Sequence, residues 1–175
     1  MKKIATTLFL AFVCFGVNAQ YLIITKDGVK AKEGNTSYAT VEFPGQSKDE
    51  IKNAIANAVG TRWHYPDRDM DITDSWIVVR CLNNIASGGG KDMIEGIHRF
   101  QIIDGKVNFF FDFKCIYFRG DSRYTYGCVR ERGDNYGIFS KKGKVKSEKR
   151  KEAVENYINS EIEWFVGKIE DALVK

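Results

Sequence analysis

The amino-acid sequence predicts an α+β fold: a curved antiparallel sheet with both helices on one face, in the order strand, helix, four or more strands, helix. Three observations predict it. A capped amphipathic segment follows an early strand, an Asp-Gly hairpin joins two long alternating runs near the centre, and an apolar stripe of helical period closes the chain.

Residues 1–19 are read as a signal peptide and set aside. Lys2 and Lys3 form a positive n-region, "IATTLFLAFVCFGV" is the apolar run, and Val17-Asn18-Ala19 is a small-residue cleavage site that makes Gln20 the mature N-terminus. The run is shorter than the roughly 20 residues of a membrane-spanning helix. Val13 stands where a lipoprotein peptidase needs a small residue, which argues against acylation of Cys14. The expected product is exported to the periplasm or cell surface of a Gram-negative bacterium, with no transmembrane segment after signal removal. Loss of the two lysines lowers the net charge from +4 to +2, too mild to demand a polyanion partner.

Residues 20–36 are read as an N-terminal segment and 37–175 as one domain. "SYATVEF" alternates as a strand and stops at Pro44-Gly45, a turn pair. Ser47 with Glu50 three residues on is a capping box, in which each side chain satisfies a backbone N–H of the first turn. Ile51, Ala54, Ile55, Ala58 and Val59 then recur at helical spacing. "SWIVVRCLNNIA" (75–86) is a β-rich run ending at a glycine triplet. At the other end, Val154, Tyr157, Ile158, Ile162, Phe165, Ile169, Ala172 and Leu173 form one stripe of a long helix with a solvated, charged back.

Asp104-Gly105 lies between "MIEGIHRFQII" and "KVNFFFDFKCIYF". Its favoured two-residue turn has positive φ at both positions. That loop sets the register. Ile102 faces Val107, Phe100 faces Phe109, His98 faces Phe111, Gly96 faces Phe113 and Ile94 faces Cys115 on the helix side. The other side pairs Arg99 with Phe110, Ile97 with Asp112 and Glu95 with Lys114. A one-residue slip would put Asp112 and Lys114 among the aromatics. In residues 75–82, Ile77, Val79 and Cys81 point to the helices while Trp76, Val78 and Arg80 point outward. "RYTYGCVRERGDNYGIF" continues as a bulged strand or a further hairpin, broken by Gly127, Gly133 and Gly137.

"VEFPGQSKDEIKNAIANAV", the Asp-rich connector and "GIHRFQIIDGKVNFFFDFKCIYF" together resemble a family of exported bacterial proteins with a TBP-like fold and no assigned function. The resemblance runs from about Tyr38 to Phe118, with the C-terminal helix completing the unit. It implies a TBP-like half-domain and brings no functional residue with it.

Chemistry is sparsely signalled. Asp67, Asp69 and Asp71 alternate like the start of an EF-hand loop, but Ile72 stands where the loop needs Gly and Val78 where it needs Glu. "ASGGGKD" lacks Walker spacing and reads as a hairpin tip. Cys81, Cys115 and Cys128 have no CxxC spacing and read as buried reduced thiols. Cys81, Cys115 and His98 are expected among the phenylalanines, where a thiolate is disfavoured and substrate has no route. His64 reads as capping or surface packing. The sequence therefore signals no catalytic set, metal or cofactor, and an exported protein rarely meets nucleic acid.

The candidate site is the open sheet face: Trp76, Arg80, Ile97, Arg99, Phe110, Ile116 and Phe118, an aromatic–Arg composition enriched in protein interfaces. The expected function is a non-catalytic binding or assembly module for an unknown protein or envelope component, with homodimerisation through the same face as a rival use. Two alternatives remain. One is an envelope hydrolase with an unrecognised site. The other is a polyanion-binding surface at residues 141–151, through Lys141, Lys142, Lys144 and Lys146.

Overall fold

The computed structural model describes residues 20–62, 70–86, 91–117, 124–126 and 137–174. In chain order these form β1 (Leu22–Thr25), β2 (Gly28–Ala31), β3 (Tyr38–Glu42), α1 (Lys48–Arg62), β4 (Met70–Ile72), β5 (Trp76–Ala86), β6 (Lys91–Ile103), β7 (Lys106–Tyr117), β8 (Tyr124–Tyr126) and α2 (Glu148–Leu173). β1 and β2 make a separate hairpin. The rest build one antiparallel sheet in the order β3-β7-β6-β5-β4, and β8 pairs with β7 beyond the reach of β3.

The core forms where one face of that sheet meets the two helices. Ile77, Val79, Phe100, Ile102, Val107, Phe109 and Phe111 are buried there with Ile51, Ile55 and Val59 of α1 and Val154, Ile158, Ile162 and Phe165 of α2. Each such side chain contributes roughly 1.5–3 kcal/mol by leaving water. Gly96 is required inside this layer. A Cβ placed on it would lie 2.2 Å from Phe111 Cζ, so the ring fills the space that a side chain would occupy.

α1 starts as the sequence predicts. The Ser47 N–H donates to Glu50 Oε2 at 2.9 Å, and the Glu50 N–H to Ser47 Oγ at 3.4 Å. α2 is capped by Ser147, whose Oγ accepts from the Arg150 N–H.

The Asp104-Gly105 loop has the expected length, since Ile103 pairs with Lys106. Its conformation differs from expectation. Gly105 has φ +70°, and among the described residues only glycines have positive φ, so Asp104 does not. Contacts from outside the hairpin hold the tip. Gly105 N–H donates to Gln46 O at 2.9 Å, Phe43 N–H donates to Gly105 O at 2.7 Å, and Asp104 Oδ1 accepts from the Lys48 N–H at 2.9 Å. The tip is therefore docked on the turn that leads into α1, and these tertiary bonds override the isolated-hairpin preference.

The expected register holds from Ile102–Val107 to Gly96–Phe113 and then shifts. A bulge at Lys114 pairs Glu95 with Cys115 and Ile94 with Ile116. An extra residue flips every side chain beyond it to the opposite face. Ile116, expected on the open face, is consequently fully buried with Ile94 in the core. Cys115, expected beneath the helices, instead turns to the outer side beside Glu95. The expected Glu95–Lys114 pair is absent. Lys114 is exposed, and Glu95 accepts from the Tyr117 hydroxyl at 2.7 Å.

The back of α2 is less solvated than its charges suggest. Glu155, Asn159 and Glu161 are all buried. Asn159 Oδ1 accepts from the N–H groups of Tyr21 and Leu22, both at 2.8 Å, and its Nδ2 donates to Leu22 O at 2.9 Å. Glu155 Oε1 accepts from the Ile24 N–H at 2.8 Å. These bonds seat the β1–β2 hairpin on the helix, where Leu22, Ile24, Val29 and Ala31 join the core. Residues 20–36 thus pack on the helix side of the sheet.

Candidate functional site

The face opposite the helices is ordered in rows by the ladder register. The first row runs Thr40, Asn108, Gln101 and Trp76, and the second runs Tyr38, Phe110, Arg99 and Val78. In the first, Thr40 Oγ1 donates to Asn108 Oδ1 and Asn108 Nδ2 to Gln101 Oε1. At the centre of the second, the Arg99 guanidinium lies 4.9 Å from the Phe110 ring centroid and 5.9 Å from that of Trp76. Arg99 Nε is 2.8 Å from Asp112 Oδ2, and its Nη2 donates to Asp112 Oδ1 at 3.0 Å. Phe110 also packs on Trp76, with centroids 5.5 Å apart, and on Tyr38 at 4.9 Å.

This assembly pre-positions one cation against two aromatic rings that pack on each other, and orients it with a carboxylate. Arg99 and Asp112 keep 35% and 39% of their side-chain surface. Trp76, Ile97 and Phe110 are half-buried and Arg80 is exposed, so the patch is a relief of aromatic and charged edges.

Of the sequence-derived candidates, the structure brings Trp76, Ile97, Arg99 and Phe110 together and places Arg80 beside Ile97 on the same face. Ile116 is removed to the core, and Phe118 lies outside the described residues. Sequence reasoning missed Tyr38, because nothing in the chain announced that β3 pairs with β7. It treated Asp112 only as an outward residue, although an acid diagonal to an outward Arg on the next strand was a usable signal.

A Cys–His site fares differently. Cys81 and His98 are both buried on the helix side, joined through Tyr157. The Tyr157 hydroxyl donates to Cys81 Sγ at 3.4 Å, accepts from Asn83 Nδ2 at 2.7 Å and lies 3.3 Å from His98 Nε2. Burial pushes the Cys81 thiol up to about 11. Burial, with help from the charge of Arg62, pulls the His98 imidazole down to about 3. Both groups are therefore neutral near pH 7, the reverse of a thiolate–imidazolium pair. Cys115 is on the other face, its thiol raised chiefly by burial. Arg62 and Glu161 close the helix side with an Nη2–Oε1 distance of 2.6 Å, which raises the guanidinium pKa further.

Lys141, Lys142, Lys144 and Lys146 are exposed around a tight turn closed by the Phe139–Val145 bridge and by the Lys146 N–H to Ile138 O bond. Asp71 is exposed on β4, whereas Asp67, Asp69, His64 and Cys128 lie outside the described residues. Among the described residues no three His, Cys, Asp or Glu side chains gather to hold a metal, and no helix is long and apolar enough to cross a membrane.

With this architecture in view, two solved structures are similar to the chain. One is the crystal structure of a TBP-like protein from Parabacteroides distasonis, 17% identical, with a TM-score of 0.51 over 77% of this chain and 89% of that one. The other is a DUF4468 family protein from Bacteroides ovatus, 9% identical, with a TM-score of 0.53 over 75% and 84%. The fold is TBP-like. At these identities the likeness concerns the fold alone and transfers no site to this chain. No protein-family model matches the sequence, and no curated protein matches it.

Proposed function

We propose that the chain is an exported, non-catalytic binding or assembly module that docks a protein partner on the open face of its sheet. The observation that carries this reading is Arg99, held against Phe110 and Trp76 and oriented by Asp112 on the side away from the helices. Aromatic and Arg side chains that are already immobilised lose little entropy on docking, and such residues dominate interface energetics. The neutral, buried Cys81 and His98 count against the hydrolase alternative.

The test is affinity capture from the native host with tagged wild type and an Arg99→Ala/Phe110→Ala variant, followed by a binding titration with the recovered partner. The expected result is a partner whose affinity falls at least tenfold in the variant while thermal melting stays cooperative. Equal affinity in the two proteins would refute the reading.

A second reading has its own observation, the four exposed lysines on the turn at 138–146. A cluster of point charges there would attract an anionic envelope polymer in a salt-sensitive way.

A further inference from the structure

We propose that the end of the molecule where α2 begins is a cationic pole that seats the chain on an anionic phospholipid surface. The proposal rests on the cationic turn of the second reading and assigns that turn a lipid plane in place of a polymer.

From Lys141 to Lys151 the chain carries seven Lys or Arg against one acid, Glu148. Lys141, Lys142, Lys144, Lys146 and Lys149 are exposed, and no acid among the described residues pairs with them. The turn that carries four of them is held rigid. Gly143 N–H donates to Ser140 O and Ser140 N–H to Lys144 O, both at 2.8 Å, while Lys144 N–H donates to Ser140 Oγ at 3.0 Å. The tip of the β1–β2 hairpin buttresses it, since a Cβ on Gly143 would lie 3.1 Å from Lys26 Cδ. The Lys26 ammonium is itself answered by Asp27 at 2.7 Å. Residues 127–136, which precede the turn, bring as many acids as bases.

Helix stability does not account for this pattern. The N-terminus of a helix is the positive end of its macrodipole, where acids stabilise and bases destabilise. After Glu148, α2 opens with Lys149, Arg150 and Lys151; its last turn holds Glu170 and Asp171 and no base. Both ends thus carry most of their charge in the unfavourable sense. Side chains and macrodipole add, and the helix becomes a long dipole with its positive end at the turn.

A convex turn with cations at its tip meets a plane, whereas a linear polymer needs a track along which charges follow one another. Lysine ammoniums are point charges that a phosphate headgroup layer can satisfy without fixed geometry. No large apolar side chain is exposed among residues 137–151, so the attachment is electrostatic and without insertion. Neither the turn nor α2 belongs to the sheet, which leaves Arg99 and Phe110 available.

Co-sedimentation with vesicles tests this, using the chain from Gln20. One set is phosphatidylcholine alone, and the other adds phosphatidylglycerol at two to one. Wild type is expected to bind only the anionic vesicles and to leave them as salt rises. A lysine near such a surface strengthens attachment roughly fivefold, so Lys141→Gln/Lys142→Gln/Lys144→Gln/Lys146→Gln should bind about a hundredfold more weakly or worse, with unchanged melting. Glu170→Gln/Asp171→Asn removes two acids about 33 Å up the helix, several Debye lengths from the lipid, and should bind within about twofold of wild type. Markedly tighter binding by that variant would mean that net charge acts without orientation, and would overturn the pole. Equal binding to both vesicle sets, or binding untouched by the quadruple variant, would overturn the proposal as well. Retention on heparin without vesicle binding would sink the lipid assignment and leave the polymer reading standing. Loss of both would end the two together.

Discussion

Replacing Asn159 with Ala should loosen the N-terminal hairpin from α2 and lower the stability of the whole domain. The side chain is 7% exposed and serves Leu22 N–H, Leu22 C=O and Tyr21 N–H at once. Leu22 is 1% exposed, so truncation leaves its two backbone groups without water or partner. Each such orphan costs about 1–3 kcal/mol. Tyr21 is half-buried, and its N–H regains solvent more readily. The sum is about 2–6 kcal/mol, a large share of the roughly 5–15 kcal/mol that stabilises a domain. At about 2–4 °C per kcal/mol for a chain of this size, the melting temperature should fall by about 4–24 °C. Circular dichroism through thermal and urea unfolding reads the change, with exposed Asn156→Ala as the control, expected to stay within about 0.5 kcal/mol of wild type. Limited proteolysis should cut residues 20–36 sooner in the Asn159 variant. A loss below about 1 kcal/mol, with the hairpin still protected, would refute the assignment of Asn159 as its anchor.

Gly96→Ala should cost about 1–3 kcal/mol in urea unfolding, because the new methyl meets Phe111 Cζ at 2.2 Å and the ring must leave its place; a variant as stable as wild type would show that the ring moves freely. The folded chain holds His98 neutral down to about pH 3, while the unfolded chain takes up a proton near 6.5. Stability should therefore fall on acidification through that window by ~1.4 kcal/mol per pH unit from this residue, and the loss between pH 7 and 5 should be about 2 kcal/mol smaller in His98→Asn. Identical pH profiles would contradict the neutral, buried imidazole. Neutralising Lys141, Lys142, Lys144 and Lys146 together as Gln should lower the salt needed to elute the protein from heparin. Unchanged elution would remove the polyanion reading.

Most of the sheet's inner face was legible because burial writes a period of two into β6 and β7, and the Asp104-Gly105 loop fixed where the count begins. The count failed at Lys114. Nothing local marks a bulge there, and inserting one residue exchanges Cys115 and Ile116 between faces. Packing decides it, since the apolar Ile116 gains more in the core than the small thiol of Cys115 would. In the candidate site, Arg99 and Phe110 were legible from the hairpin alone, whereas Tyr38 arrives through a non-local pairing that no short-range pattern encodes. The β1–β2 hairpin was missed although "YLIITKDGVKAK" carries an Asp-Gly like that at 104–105; here the loop is Lys26-Asp27, since Thr25 pairs with Gly28, and Gly28 opens β2 with φ +114°. The polar residues Glu155 and Asn159 were assigned to solvent because a helical wheel does not show that a strand's N–H groups will cover them.

The bond from Lys48 N–H to Asp104 joins groups 56 residues apart in the chain, and it also completes the first turn of α1. That helix has its own cap in Ser47 and Glu50, but its attachment to the sheet waits until the β6–β7 tip exists to receive it. Chain-closure entropy favours the local hairpin first. Folding should therefore proceed by zipping the central ribbon and only then latching the helix, so that Asp104→Ala accelerates unfolding while hardly changing the refolding rate.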